Sequence, residues 1–240
     1  MLTLLKNIYL QGITGIEVNV EVDVSPGMPK FEIVGLPDTA LKESKERILT
    51  AIKNSGFEIV GKKIIVNLAP AEIRKNGTGF DLSIAIGILN NLKFLKSNRI
   101  KDYVFIGELS LNGKVNPISG VLPMCIELKK LGHKNIILPK ENVEEGKLVN
   151  NINIIGVSNL IEVVDFINEK KELHFEKNES KIEWEEKNKS SLIDFNEVIG
   201  QSKAKRALEI SAAGGHNIIL IGEPGSRKNN VSTKNKNNNA

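Results

Sequence analysis

The chain has 240 residues, room for one full domain and part of a second, and its 40% apolar content suits an ordinary globular core. Cys125 is the only cysteine, which excludes an intrachain disulfide and a multi-cysteine metal site. The formal net charge of +4 resides in residues 227–240, where Arg227, Lys228, Lys234 and Lys236 stand without an acid, so the rest is balanced and offers no basic face for nucleic acid. The opening Met1-Leu2-Thr3-Leu4-Leu5 is interrupted by Lys6, far short of a membrane span or a signal peptide, so the expected location is cytoplasmic.

Taken in chain order, Ile16, Val18, Val20, Val22 and Val24 alternate with Glu17, Asn19, Glu21 and Asp23, the pattern of a half-buried strand. Ser25-Pro26-Gly27 turns the chain, and Phe31–Val34 reads as a second strand. Asp38 can cap a helix whose Leu41, Ile48, Leu49 and Ile52 share a face and which stops near Gly56. Lys63–Leu68 is a further strand. The loop Pro70–Gly79 contains the basic run Arg74-Lys75-Asn76-Gly77, read as solvated surface, and leads into an apolar helix over Asp81–Leu92.

Strands are expected at Tyr103–Ile106 and Leu109–Leu111, joined by a tight turn at Asn112-Gly113. A helix over Val121–Leu131 ends at Gly132 and places Cys125 in the core. Strands at Asn135–Leu138 and Ile152–Ile155 and a helix over Leu160–Ile167 complete a mixed α+β domain spanning residues 1–168. Residues 169–193 are a charged linker in which Leu173, Phe175, Ile182 and Trp184 are the apolar anchors. A second unit spans 194–228, with a helix over Ser202–Ala213 stopped by Gly214-Gly215. The tail 229–240 is rich in Asn and Lys, with Val231 its only large apolar residue, the composition of a disordered segment. His133 reads as a helix cap or surface residue, His174 falls in the linker, and His216 has no evident partner.

The short strand Ile218–Ile221 feeds Gly222-Glu223-Pro224-Gly225-Ser226-Arg227-Lys228-Asn229, the register of a phosphate-binding G-x-x-x-x-G-K-[ST] loop. Gly222, Glu223, Pro224, Gly225, Ser226 and Lys228 are the candidate nucleotide-binding residues. Arg227 stands where the last glycine belongs, and Asn229 where a hydroxyl would hold magnesium. The motif is degenerate, and no catalytic or metal-ligating residue is assigned.

The strings Asp194–Gln201, Ala204–Ile210 and Ala212–Asn217 together resemble the start of the AAA+ module in magnesium-chelatase-like ATPases of the YifB/ComM type. Pro29–Asp38, Asn67–Ala71, Asp81–Ala85 and Gly107–Gly113 resemble that family's N-terminal domain, which is similar to the Lon-protease fold, a ribosomal-protein-S5-like mixed sheet with helices. The resemblance implies an α+β domain followed by an incomplete P-loop α/β fragment. For intact members it implies ATP and Mg2+ as cofactors, assembly as rings and remodelling of a partner, which in the ComM branch is DNA undergoing branch migration during natural transformation. Gly200-Gln201 match a segment that lies near the adenine.

Lon-type peptidases use a Ser nucleophile activated by a Lys amine. The resemblance aligns Gly79 with the nucleophile and Leu122 with the base, so proteolysis is not expected, and Thr78, Ser83 and Ser119 read as turn and packing residues. Family members continue the phosphate loop as Gly-Lys-Thr-Met-Leu-Ala. One added nucleotide ahead of those codons yields Arg-Lys-Asn-Asn-Val-Ser, the residues at 227–232, so the tail is expected to be out of frame. A stand-alone Lon-like binding or assembly module without enzymatic activity is the alternative reading.

Overall fold

A computed structural model describes residues 2–72, 75, 77, 79–176, 200–219 and 221. The chain divides into two compact units, Met1–Glu179 and Ser180–Ala240. The first unit opens on a long hairpin of β1 (Leu2–Gln11) and β2 (Thr14–Pro26), followed by β3 (Lys30–Val34), α1 (Thr39–Asn54) and β4 (Lys62–Ala69). They form one four-stranded sheet in the order β1-β2-β4-β3. Its pairs are antiparallel except β3 with β4, which run parallel because α1 carries the chain across between them. Asp38 caps α1 as expected: its carboxylate accepts from Leu41 N at 2.8 Å.

The expected strand at 16–24 is the centre of β2, with Val18, Val20 and Val22 buried. The strand β1 escapes the sequence reading because its inward positions include Thr3 and Asn7, while Leu2 and Leu4 face out. Thr3 Oγ1 accepts from both Asn90 and Asn91 at 2.8 Å, which satisfies a polar group that alternation would have put in water.

Helix α2 (Asp81–Asn91) lies against β1 and β2 and is buried from Asp81 through Leu89. A helix apolar all round belongs in a core. Gly87 lets it approach the sheet: a Cβ there would stand 2.6 Å from Val22 Cγ2.

The remaining elements are β5 (Tyr103–Phe105), β6 (Glu108–Leu109), β7 (Val115–Asn116), α3 (Val121–Lys130), β8 (Asn135–Pro139), the single turn α4 (Val143–Gly146), β9 (Asn153–Val157) and α5 (Leu160–Ile167). The turn at Asn112-Gly113 joins β6 to β7, and β5 belongs to a separate parallel sheet, β5-β8-β9. Local composition identifies these segments as strands but carries no information on which neighbour each one meets. The parallel sheet is covered on both faces, which is why its strands are near-continuous apolar runs. Phe105, Ile137, Ile155 and Val157 face the main core with α2 and α5. Val104, Ile106, Ile136, Leu138 and Ile154 face a smaller cluster with α3 that includes Cys125, whose thiol burial pushes up to about 12.

Past α5 the chain stays attached: Leu173 packs on the core, and Glu176 N donates to Ile154 O at 2.7 Å. In the second unit the described residues hold α6 (Ser202–Gly214), on which Leu208 and Ser211 are buried. No helix among the described residues is long and apolar enough to cross a membrane.

Candidate functional site

The phosphate-loop residues Gly222, Glu223, Pro224, Gly225, Ser226 and Lys228, with Arg227 and Asn229, lie outside the described residues, as do the tail 229–240 and most of the linker. The approach to the loop is described. Helix α6 ends at Gly215 with φ +63°, where a side chain would be strained. His216 N then donates to Ser211 O at 2.9 Å, and the Ser211 hydroxyl donates to His216 O. The His216 ring lies over Gly214, so this histidine closes the helix. Among the described residues no group of His, Cys, Asp and Glu could hold a metal ion.

In the first unit, a groove of about 460 Å3 opens between the end of β1, the start of α2 and the loop before α3. Ile8, Tyr9 and Leu10 form one wall, Gly79 and Phe80 the base, Ile118 and Ser119 the other wall. Each wall is pinned by a buried asparagine. Asn7 Nδ2 donates to Gly79 O (3.2 Å), Ser83 Oγ (2.9 Å) and Phe105 O (2.9 Å), tying β1 to α2 and β5. Asn142 Oδ1 accepts from Ile118 N and its Nδ2 donates to Ile118 O, both at 2.9 Å, so the opposite loop is held through its backbone.

The two positions that the Lon resemblance aligns with a nucleophile and a base carry neither group. A Cβ added at Gly79 would meet only Ile118 Cδ1 at 3.6 Å and Ile106 Cγ2 at 3.8 Å, so a serine would fit where none exists. Leu122 donates its backbone N–H to Glu145 Oε1 at 2.8 Å and carries no amine. Ser83 is buried, donating to Phe80 O at 2.8 Å and accepting from Asn7, with no base beside it. Ser119 lines the groove as an exposed hydroxyl, and Thr78 lies outside the described residues.

Charges beside the groove are structural. The basic loop read as solvated surface instead buries Lys75 completely. Its ammonium donates to Gly35 O and Leu68 O at 3.0 Å and to Pro70 O, and burial lowers its pKa. Three carbonyls make this tolerable, because an ammonium has three donors and each finds a partner. Gly35 creates the cage: its φ is +94°, and a Cβ there would stand 2.2 Å from Leu68 O. Nothing in the loop's own composition signals this burial.

Asp81, fully buried in the first turn of α2, takes the Arg47 guanidinium at 2.7 and 3.2 Å and Leu109 N at 3.1 Å. Burial nevertheless pushes its carboxyl up to about 6, with Arg47 and the Leu109 N–H opposing. On the far side of β2, burial raises and the Lys6 and His133 hydrogen bonds lower the Glu17 carboxyl, and the bonds prevail. His133, expected as a cap or surface residue, does both: its N–H closes α3 on Leu128 O, and its half-buried ring meets Glu17 at 2.6 Å.

Known proteins share much of this sequence. Residues 20–142 match the family described as subunit ChlI of Mg-chelatase, and residues 194–236 match magnesium chelatase, subunit ChlI. The chain belongs to this family. It is of the YifB/ComM type: it is 36% identical over 233 residues to competence protein ComM of Haemophilus influenzae, covering 95% of this chain and 45% of that protein. It is 38% identical over 223 residues to YifB of Escherichia coli, covering 93% and 43%. The chain thus spans less than half the length of these relatives. Lon protease 2 of Bacillus subtilis is 33% identical over 148 residues, 59% of this chain and 26% of that protein. The family's mixed α/β architecture therefore carries a partial likeness to Lon.

Proposed function

We propose that this chain is the N-terminal portion of a YifB/ComM-type ATPase, a Lon-like module without peptidase chemistry joined to the start of an AAA+ module. The observation that carries this reading is the pairing, in one chain, of a groove lined by Gly79, with Leu122 in the adjoining first turn of α3, and a magnesium-chelatase match over residues 194–236. In this reading the domains run 1–168 and 194–228, and the first serves assembly or partner binding in the cytoplasm. The family's work is ATP-driven remodelling by a ring, with DNA as the partner in the ComM branch.

A phosphate loop holds its ligand with backbone N–H groups and a lysine amine, and a Ser or Thr hydroxyl joins the magnesium shell. Gly222, Gly225 and Lys228 suit that role. Arg227 and Asn229 do not: the first adds a side chain where the backbone must approach, at a conformational cost of about 1–2 kcal/mol, and the second lacks the hydroxyl. The donor set does not fit Mg2+, so hydrolysis is lost and nucleotide binding is weak. The test is phosphate release and binding of a fluorescent ATP analogue by the full chain and by Arg227→Gly/Asn229→Thr. We expect no turnover by the chain as it stands and at least about tenfold tighter binding by the variant. ATP turnover by the unaltered chain that Lys228→Ala abolishes would overturn the reading. Equally weak binding by both proteins would favour a Lon-like assembly module that does not use nucleotide.

A further inference from the structure

A second hollow, of about 550 Å3, opens between the C-terminal half of α1, the β3–β4 pair and the segment 58–62. Its origin is in the α1 sequence. The stripe Leu41, Ile48 and Ile52 goes fully into the core, and Leu49, one position past that stripe, is left half-buried over the hollow. Phe31 and Ile64, partners in the parallel register, form the floor, and Ile59 closes one side. Phe31, Leu49 and Ile59 are apolar groups that their neighbours only partly cover.

The rim is basic. Lys45 and Lys53 stand one helical turn to either side of Leu49, and Lys62 begins β4. Lys45 and Lys62 are half-buried, yet among the described residues neither they nor Lys53 forms a contact ion pair; Glu32 is taken by Lys30 at 2.7 Å and feels Lys45 from further off. Glu46 and Glu58 also line the rim but are exposed and free to turn to water. β3 and β4 pair with each other under the hollow, and Gly27 N donates to Gly61 O at 3.1 Å. The hollow lies over the face of this pair, so recognition there falls to side chains.

We propose that this hollow is a binding site for a small amphiphilic carboxylate. Its apolar tail lies against Phe31, Leu49, Ile59 and Ile64, and its head meets the ammonium groups of Lys45 and Lys62. The volume is that of a small-molecule site, and an apolar cleft with a few convergent charges is the usual form of one. Charge-assisted bonds from two lysines fix the sign of the head, and apolar burial fixes the need for a tail.

Calorimetric titration of the full chain with dodecanoate, below its micelle concentration, tests the proposal. Saturable one-to-one binding is expected. Dodecyltrimethylammonium, the same tail with the opposite charge, is expected to bind at least about tenfold more weakly, and acetate not at all. Lys45→Glu/Lys62→Glu should weaken dodecanoate binding about tenfold or more, and Leu49→Trp, which fills the hollow, should abolish it. Both variants are to be compared at matched thermal stability, with Lys45→Gln/Lys62→Gln replacing the first if it fails to fold. Equal binding of the two amphiphiles, unchanged affinity in the variants, or no saturable binding of dodecanoate would overturn the proposal. Binding of an acidic, tryptophan-containing peptide in place of dodecanoate, with the same sensitivity to the variants, would overturn it in favour of a protein partner.

Discussion

Gly79 and Asp81 are two residues apart at the entrance to α2 and could hardly be treated more differently. Gly79 has open room for a side chain and none to put there, whereas Asp81 is buried in a web of three hydrogen bonds. The same contrast separates Leu122, which brings no amine to the first turn of α3, from Lys75, whose amine is locked among three carbonyls. Buried charges hold the segments beside the groove, and its walls are pinned by Asn7 and Asn142. Neither Gly79 nor Leu122 carries a nucleophile or a base, so shape and the aligned catalytic positions are served by different side chains.

Substitutions should separate the two sets, and the largest effect is expected at the cage. Gly35→Ala forces a Cβ to 2.2 Å from Leu68 O at φ +94°, so a stability loss of at least about 3 kcal/mol is expected in urea unfolding. Lys75→Met leaves three carbonyls without their donor and should cost about 2–4 kcal/mol, with the groove's loop losing amide protection first.

Next comes a pH effect. The Asp81 carboxyl lies at about 6 in the folded protein against 3.8 when unfolded, so the folded state binds more protons between about pH 4 and about pH 6. Its contribution is therefore fully present below about pH 4, falls as pH rises through about 6, and is then level, a change of about 3 kcal/mol. Glu17 and Glu162, held below the usual carboxylate range, act in the opposite sense. The difference between the wild-type chain and Asp81→Asn isolates the effect: the wild-type excess should shrink from about pH 4 to about pH 7. A difference independent of pH would mean that Arg47 neutralises the cost of burial.

The smallest effect is expected at the groove itself. Gly79→Ser meets only ordinary contacts, so it should change stability by less than about 1 kcal/mol and confer no peptidase activity, since Leu122 supplies no base. A large destabilisation there would show that the vacancy is needed by the fold.

The fold was legible where one period dominated. The centre of β2, the buried stripe of α1, the largely apolar α2 and the parallel strands each announce themselves by pattern and composition. Where polar groups turn inward the pattern fails. Thr3 and Asn7 invert the alternation of β1 because Asn90, Asn91 and Ser83 satisfy them, and these partners are more than seventy positions away. Lys75 reads as surface because two of its three acceptors, Gly35 O and Leu68 O, lie outside its loop and depend on the turn at Gly35. That Gly79 and Leu122 bear on this groove was legible only through the family resemblance; the asparagines that shape it, Asn7 and Asn142, carried no signal of their own.

Cleavage of a fluorogenic unfolded protein such as labelled casein by the purified full chain tests the central claim most directly. The account predicts no cleavage above a buffer control, in the unaltered chain and in Gly79→Ser alike. Cleavage that copurifies with the chain and is lost on Ser119→Ala or Ser83→Ala would contradict it, by showing a nucleophile at work in the groove.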